Sequence, residues 1–254
     1  MQPILNELIC GDNIKVLKTM EDNCIDLTVT SPPYDDIRNY NGYSFDFEGV
    51  AKELYRVTKE GGVIVWIVGD KTNNGSESGS SFKQVLFFKQ LGFNIHDTMI
   101  WRKATAPLTH KRYEQEFEYM FILVKGKINT FNPIMVDKIY MDKRINKMIR
   151  REKDGSIDYG NHSPKTTKIK GNIWDIPTGG GINTKDKIAY THPAIYPEKL
   201  AHDHIKSWSN EGDVVLDPFA GSGTTCKMAK QLNRNYIGID ISQEYIDIAK
   251  ERVK

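Results

Sequence analysis

Short, unbroken apolar runs separated by helix-like stretches constrain this chain more than any other feature. Leu27–Thr30, Val63–Val68, Phe121–Val124, Val214–Leu216 and Tyr236–Ile239 are bounded by turn residues and have the length of strands. Hydrophobicity that is continuous along a strand means burial on both faces, as in a parallel sheet covered by helices. Helices are expected at Asn13–Met20, Val50–Val57, Phe82–Leu91, Thr224–Leu232 and Gln243–Val253. The class is therefore α/β, with helices on both faces of a mostly parallel sheet and ligands beyond the carboxyl ends of its strands.

The 254 residues are enough for one substantial domain with a small insertion. With 39% hydrophobic and 27% charged residues, the chain can build a core and is no disordered tail. Cys10, Cys24 and Cys226 lie far apart without paired spacing, which points away from disulfides and zinc and toward a reducing, cytoplasmic setting. The longest apolar run, Val63–Val68, has six residues where a membrane span needs about 20, and no basic leader precedes an apolar stretch. Neither membrane insertion nor secretion is expected. Asn73–Ser81, NNGSESGSS, reads as a mobile loop.

Charge is unevenly spread. Residues 126–190 hold thirteen Lys or Arg against seven acids, a net +6 in a chain whose total is +2, so the remainder carries −4. Such a segment, with Asn, Gly and Ser in place of sheet-like runs, reads as an insertion that meets a polyanion. The plainer alternative is a solvated surface loop with a short basic helix near Ile145–Arg151. The expected organisation is residues 1–125, an insertion at 126–190, and 191–254 returning to the first domain.

Asp213–Thr225 reads DVVLDPFAGSGTT: a strand, a turn with Gly221 and Gly223, then a helix opening at the threonines. Glycines let the backbone approach a ligand, and the helix N-terminus offers amide donors. The next strand ends in Gly238-Ile239-Asp240, placing a carboxylate for a ribose diol. Together these suit an adenosyl ligand; the alternative is a tight strand-to-helix turn without one. A phosphate loop is disfavoured because no Lys-Ser or Lys-Thr follows. Against a dinucleotide stands Asp217, which would face pyrophosphate unfavourably but could pair with the ammonium of an amino-acid moiety.

Leu27–Tyr34 reads LTVTSPPY, a strand running into Ser31-Pro32-Pro33-Tyr34. Two prolines fix the backbone and remove two amide donors, leaving carbonyls aimed with little local competition. Such a turn can accept hydrogen bonds from an exocyclic amine, with Ser31 Oγ as a further acceptor and Tyr34 as a stacking face. A Pro-Pro loop that merely ends a strand is the alternative.

Together, SPPY at 31–34 and DPFAGSGTT at 217–225 resemble the amino-group DNA methyltransferases that use S-adenosyl-L-methionine, and the order, catalytic motif first, is similar to their beta class. Ile9-Cys10-Gly11-Asp12 resembles the segment that supplies an acid to the cofactor adenine. Glu53–Gly62 resembles the helix and turn before the next strand, and Trp174–Pro177 with His192–Pro197 resembles the return to the cofactor site. The likeness leaves roughly Lys127–Lys170 uncovered, where this class carries its target-recognition region.

The resemblance implies a Rossmann-like methyltransferase sheet with circularly permuted motif order, whose 1–125 and 191–254 are the catalytic and cofactor-binding halves. Its implied catalytic residues are Ser31, Pro32, Pro33 and Tyr34. Those implied for S-adenosyl-L-methionine are Asp12, Thr30, His192, Asp217, Phe219, Gly221, Ser222, Gly223 and Asp240. For DNA they are Arg38, Lys143, Arg144, Lys147, Arg150, Arg151, Lys165, Lys168, Lys170 and Trp174. The implied partners are double-stranded DNA, a cognate restriction endonuclease on a separate chain and a second copy of the chain; no metal is implied.

Methyl transfer to an amine needs no cysteine nucleophile, whereas methylation of cytosine C5 does, and none lies near the prolines. Serine opening the tetrapeptide resembles the cytosine-N4 branch of this family, and Tyr196-Pro197 in place of Lys-Pro is similar to the same branch, so the resemblance implies cytosine N4, with adenine N6 as the alternative. Structured RNA, a protein amide, or a catalytically silent DNA-binding role stay open as further readings. Asp35 and Asp36 read as a loop cap or as partners of Arg38. His202 and His204 are two apart, so on a helix their rings point to different faces, against a metal site. Trp101 fits a core better than a base-stacking role, and Glu116 and Glu118 receive no role.

Overall fold

Period-two alternation along the strands decides how the sheet is covered. The computed structural model describes residues 4–33, 45–103, 112–138, 147–161 and 166–254. Its elements begin with β1 (Glu7–Cys10), α1 (Asn13–Leu17), β2 (Ile25–Thr30), α2 (Phe47–Val57) and β3 (Thr58–Val68). A two-rung hairpin of β4 (Thr72–Asn73) and β5 (Ser76–Glu77) leads to α3 (Ser80–Leu91), β6 (Phe93–Arg102) and β7 (Phe117–Lys125). Then come β8 (Met135–Asp137), β9 (Lys147–Arg151), β10 (Ile157–Asn161), β11 (Thr167–Ile169) and β12 (Ile173–Asp175). The chain ends with α4 (Glu198–Trp208), β13 (Val214–Asp217), α5 (Thr224–Gln231), β14 (Asn235–Asp240) and α6 (Gln243–Val253).

Eight strands form one sheet in the order β1-β14-β13-β2-β3-β7-β6-β12. All neighbours are parallel except β7, which runs against both β3 and β6. Every residue from Gly61 to Val68 is buried. Ile64, Trp66 and Val68 join Leu17, Leu54 and Phe88 of α1, α2 and α3 in one core cluster. The intervening Val63, Val65 and Ile67, also buried, therefore face the other side of the sheet. The Trp66 indole donates to Gln84 Oε1 at 2.9 Å, so the polar atom of this core ring is satisfied.

The polar loop after β3 differs from expectation. Asn74 and Gly75 take positive φ of 49° and 79°, which closes the β4–β5 hairpin with a primed turn. Asp70 then caps α3, accepting from the Ser81 amide at 3.0 Å and from the hydroxyls of Ser78, Ser80 and Ser81. Burial alone would lift the Asp70 carboxyl; the serine hydrogen bonds outweigh it and hold the carboxyl below its ordinary value.

The chain divides into two compact units, one of Met1–Asn132 with Asn172–Lys254 and one of Pro133–Gly171. The smaller is built of two antiparallel pairs, β9 with β10 and β8 with β11. Of the stretch expected as a basic helix near 145–151, the described part, Lys147–Arg151, is strand β9, which the tight turn at Asp154-Gly155 pairs with β10. Gly155 has φ +85°, the Glu152 amide bonds Ser156 O at 2.9 Å, and Asp154 accepts from the Ser156 amide at 2.9 Å. The small unit is narrower than the 126–190 marked by charge: β12 and the segment after it belong to the larger unit.

Trp174 is accordingly a core residue and not a wedge for DNA. It is 4% exposed, its strand pairs with β6, and its ring stacks on His204 at 4.5 Å. His204 is itself buried, receiving the Trp208 indole proton at 3.3 Å and meeting Met120 Sδ at 3.1 Å, so its imidazole serves the core. Trp101 is buried as well, its indole donating to Ile176 O at 2.8 Å. No helix among the described residues is long and apolar enough to cross a membrane.

Candidate cofactor and methyl-transfer site

Chain direction across the sheet reverses between β13 and β2: from β2 the chain continues to β3 on one side, from β13 to β14 on the other. Ligands of open α/β sheets lie beyond the carboxyl ends at such a switch point. Here those ends are Thr30-Ser31-Pro32-Pro33 and Asp217-Pro218-Phe219, so the two sequence motifs converge. The bond across the seam is Thr30 Oγ1 donating to Asp217 Oδ1 at 2.7 Å. Thr225 Oγ1 donates to Val29 O at 3.0 Å, fastening the first turn of α5 onto β2.

Asp217 is 1% exposed. Its Oδ1 also accepts from the Phe219 amide at 3.1 Å, and Oδ2 lies 3.4 Å from the Tyr196 hydroxyl, which is bonded to the Thr225 hydroxyl. Burial pushes the carboxyl up to about 6, with the Thr30 and Thr225 hydroxyls and the Phe219 amide opposing that rise. Burial beside Asp217 likewise keeps Tyr196 a neutral hydroxyl well above its ordinary value.

The turn after β13 depends on its glycines. Gly221 and Gly223 have φ of +49° and +77°, and a Cβ on them would lie 2.9 Å from His192 Nε2 and 2.7 Å from Ala249 Cβ. Asp240 at the end of β14 accepts from the Gly221 amide through Oδ2 and from the Ser242 amide through Oδ1, both at 2.9 Å. Each oxygen retains a further lone pair. Burial raises this carboxyl too. His192, 9% exposed, walls the turn; its Nδ1 accepts from the Ala194 amide at 3.1 Å and its ring meets Tyr245 at 4.2 Å. Phe219 packs edge-on to Phe45 at 5.2 Å.

Asp12 is the N-cap of α1, accepting from the Lys15 amide at 2.8 Å, and Asn13 Nδ2 donates to Pro218 O at 3.3 Å. The loop after β1 is thereby tied to the glycine turn. On the catalytic side Ser31 and Pro33 are half-buried and Pro32 is buried. Tyr34, Asp35, Asp36 and Arg38 lie outside the described residues, as do Lys143, Arg144 and Lys165. Lys147 and Arg150 fall on β9, their side chains outside the described part, while Arg151 and Lys168 are exposed and Lys170 half-buried in the smaller unit.

Beneath the site lies a set of supporting residues that carry no sequence motif of their own. Arg252, Lys227, Asp186, Glu198 and Thr184 form a network beneath the turn. Arg252 could have been noticed, because it falls on the apolar stripe of α6 with Ile246 and Ala249, where a charge demands partners. An open cleft of about 410 Å3, lined by Asn132, Lys206, Asn210 and Arg234 among others, lies at the amino ends of β13 and β14, away from this site.

Residues 25–251 match the family model of N6/N4 DNA methylases. The orphan methyltransferase M.BamHII of Bacillus amyloliquefaciens is 60% identical over 240 residues, covering 92% of this chain and 90% of that one. The type II methyltransferase M.HpaI of Haemophilus parainfluenzae is 32% identical over 257 residues, covering 97% and 73%. Among solved structures, a DNA modification methylase of Thermus thermophilus complexed with S-adenosyl-L-methionine superposes with TM-score 0.65 at 26% identity, covering 97% of this chain and 93% of that one. A match running through both strand ends of the seam settles the kinship: the chain belongs to the N6/N4 DNA methylase family and is an S-adenosyl-L-methionine-dependent DNA methyltransferase.

Proposed function

We propose that the enzyme is a beta-class, site-specific methyltransferase that places its methyl group on cytosine N4 of a base turned out of double-stranded DNA. The observation that carries this reading is the seam itself, where the strand leading into Ser31-Pro32-Pro33 and the glycine turn lie side by side, joined by the hydrogen bond from Thr30 to Asp217 and by that from Thr225 to Val29 O.

The residues fit the cofactor. Asp240 has lone pairs to spare for a ribose diol, and two acids border the turn, Asp217 at its start and Asp240 on its Gly221 amide. The two cations beneath it are balanced by Asp186 and Glu198. That polarity suits a ligand with a cationic centre and an ammonium better than a pyrophosphate. His192, Phe219, Ser222 and the two glycines shape the remaining walls, and Asp12 approaches from the β1 side. When bound, S-adenosyl-L-methionine supplies an electrophilic methyl group.

On the other side of the seam, the Ser31 and Pro32 carbonyls and Ser31 Oγ are acceptors for hydrogen bonds from the N–H groups of the exocyclic amine. That holds nitrogen toward tetrahedral geometry with its lone pair free. Tyr34 stacks on the base, offsetting part of the few kcal/mol that extrusion costs. The unit Pro133–Gly171 holds ten basic and five acidic residues, and we assign it to target recognition, with Arg38 and its lysines and arginines gripping phosphate. The name of the 60% identical relative, an orphan methyltransferase, favours a solitary enzyme over one paired with an endonuclease.

The deciding experiment incubates the protein with unmethylated DNA and labelled cofactor, digests the DNA and identifies the modified nucleoside by mass. N4-methylcytosine is expected. N6-methyladenine would overturn the choice of base, and label confined to RNA or protein would overturn the substrate.

A further inference from the structure

The last turn of α6 sends one side chain back under the glycine turn. Arg252 is 1% exposed in its side chain. Its Nη1 donates to Ser222 O at 2.6 Å, Ser222 Oγ at 2.9 Å and Thr224 Oγ1 at 3.1 Å. The same guanidinium reaches Glu198 Oε1 at 2.8 Å and Asp186 Oδ2 at 3.2 Å. Lys227 Nζ meets those two carboxylates at 2.7 and 2.6 Å. Two cations thus balance two acids. The cations differ in one respect: among the described bonds Lys227 reaches only the acids, whereas Arg252 also holds the backbone of the turn.

That hold matters because Gly221 and Gly223 leave the turn backbone permissive. The peptide from Ala220 to Gly221 is fixed by Gly223 N bonding Ala220 O at 2.7 Å and by Gly221 N bonding Asp240 Oδ2 at 2.9 Å. The peptide from Ser222 to Gly223 is fixed by that same Gly223 amide and by Arg252 on the Ser222 carbonyl. Of the anchors on these two peptides, only Asp240 and Arg252 come from outside the turn. A lysine would satisfy the acids but lacks the planar fork that spans acids and carbonyl together.

We propose that Arg252 is a positioning residue for S-adenosyl-L-methionine, holding the glycine turn in its binding shape from the far end of the chain. The inference rests on reading that turn as the cofactor site. A turn already ordered does not lose affinity to its own ordering. Arg252 also joins the turn to Glu198 and Asp186, whose segments flank Tyr196 and His192, so one side chain coordinates three walls of the site.

The test is calorimetric titration with S-adenosyl-L-methionine, together with cofactor-free melting, for wild type, Arg252→Met, Arg252→Lys and Lys227→Met. Arg252→Met is expected to weaken binding at least about tenfold, with KM for the cofactor rising and kcat at saturation changing little, and Arg252→Lys to fall between. Lys227→Met is expected to lower the melting temperature while leaving affinity within about twofold of wild type, since it removes charge balance without releasing the turn. Unchanged affinity in both Arg252 variants, or equal weakening in Arg252→Met and Lys227→Met, would overturn the proposal. Should Arg252→Met fail to fold, wild-type affinity in Arg252→Lys overturns it by itself. Asp240→Ala separates the two levels: if it leaves cofactor binding intact, the turn is not the cofactor site, whereas its weakening beside unaffected Arg252 variants sinks only the role of Arg252.

Discussion

The two sides of the seam are held by different means. On the cofactor side, glycines leave the turn free to bend, and its shape comes from distant partners: Asp240, His192, Arg252 and the Tyr196–Thr225 pair. On the catalytic side, Pro32 and Pro33 carry the stiffness within the chain, and the strand before them is buried from Leu27 to Thr30. The lesson is that one side is ordered by tertiary contacts and the other covalently. Substitutions should therefore separate binding from transfer.

The largest effect is expected at Ser31. If Ser31 Oγ accepts from the amine as proposed, Ser31→Ala removes that acceptor and should lower the single-turnover rate about 10²–10³-fold, by analogy with loss of one oriented group in other sites. Because the prolines keep the backbone in place, cofactor affinity should stay near wild type. Equal loss of both would mean that the two sides are not separable as described.

Asp217 belongs to both sides, and pH is the way to probe it. Burial raises its carboxyl from 3.8 to about 6, so the folded state holds a proton that the unfolded chain has already released. The associated stability is fully present below about pH 4 and is lost as pH rises through about 6, a change on the order of 3 kcal/mol. Asp217→Asn cannot ionise, so its melting temperature relative to wild type should climb between those pH values and level off above them. A difference independent of pH would show that this carboxyl does not titrate inside the seam.

Much of the seam was legible in the sequence, because both motifs sit at the ends of runs buried on two faces, and β2, β3, β7, β13 and β14 all lie on those runs. The edge strand β1 escaped, being four residues with its ends exposed. So did β6, whose polar residues alternate with buried ones and which contains His96 and Asp97. The short helix that went with the plainer reading of the basic segment overlooked the Asp154-Gly155 turn, and the error at Trp174 came from taking nearness in sequence to a basic segment as exposure. The apolar stripe of α6 marks Arg252 as buried, but its partners are 28 to 68 residues away, and no local pattern encodes which groups it holds.

Asp240→Ala measures the cofactor side alone. A charge-assisted hydrogen bond contributes about 1.5–3 kcal/mol, so losing one to a ribose hydroxyl should weaken cofactor binding about 10- to 100-fold. Transfer at saturating cofactor should be spared if the catalytic side is held by its own prolines. A matching fall in saturated rate would instead tie the tetrapeptide to the turn.

The smallest effect concerns the basic unit. If its exposed cations meet phosphate and read no bases, each contributes through counterion release, and their effects are diffuse. Lys168 is exposed on β11. Lys168→Ala should weaken DNA binding only severalfold, by a similar factor on cognate and unrelated duplexes, and reduce the slope of log affinity against log salt by about one. Cofactor affinity in the absence of DNA should not move, because phosphate contact and the glycine turn draw on separate residues. A loss confined to one duplex sequence would make Lys168 a reader of base edges, and an unchanged salt slope would remove it from the phosphate contacts.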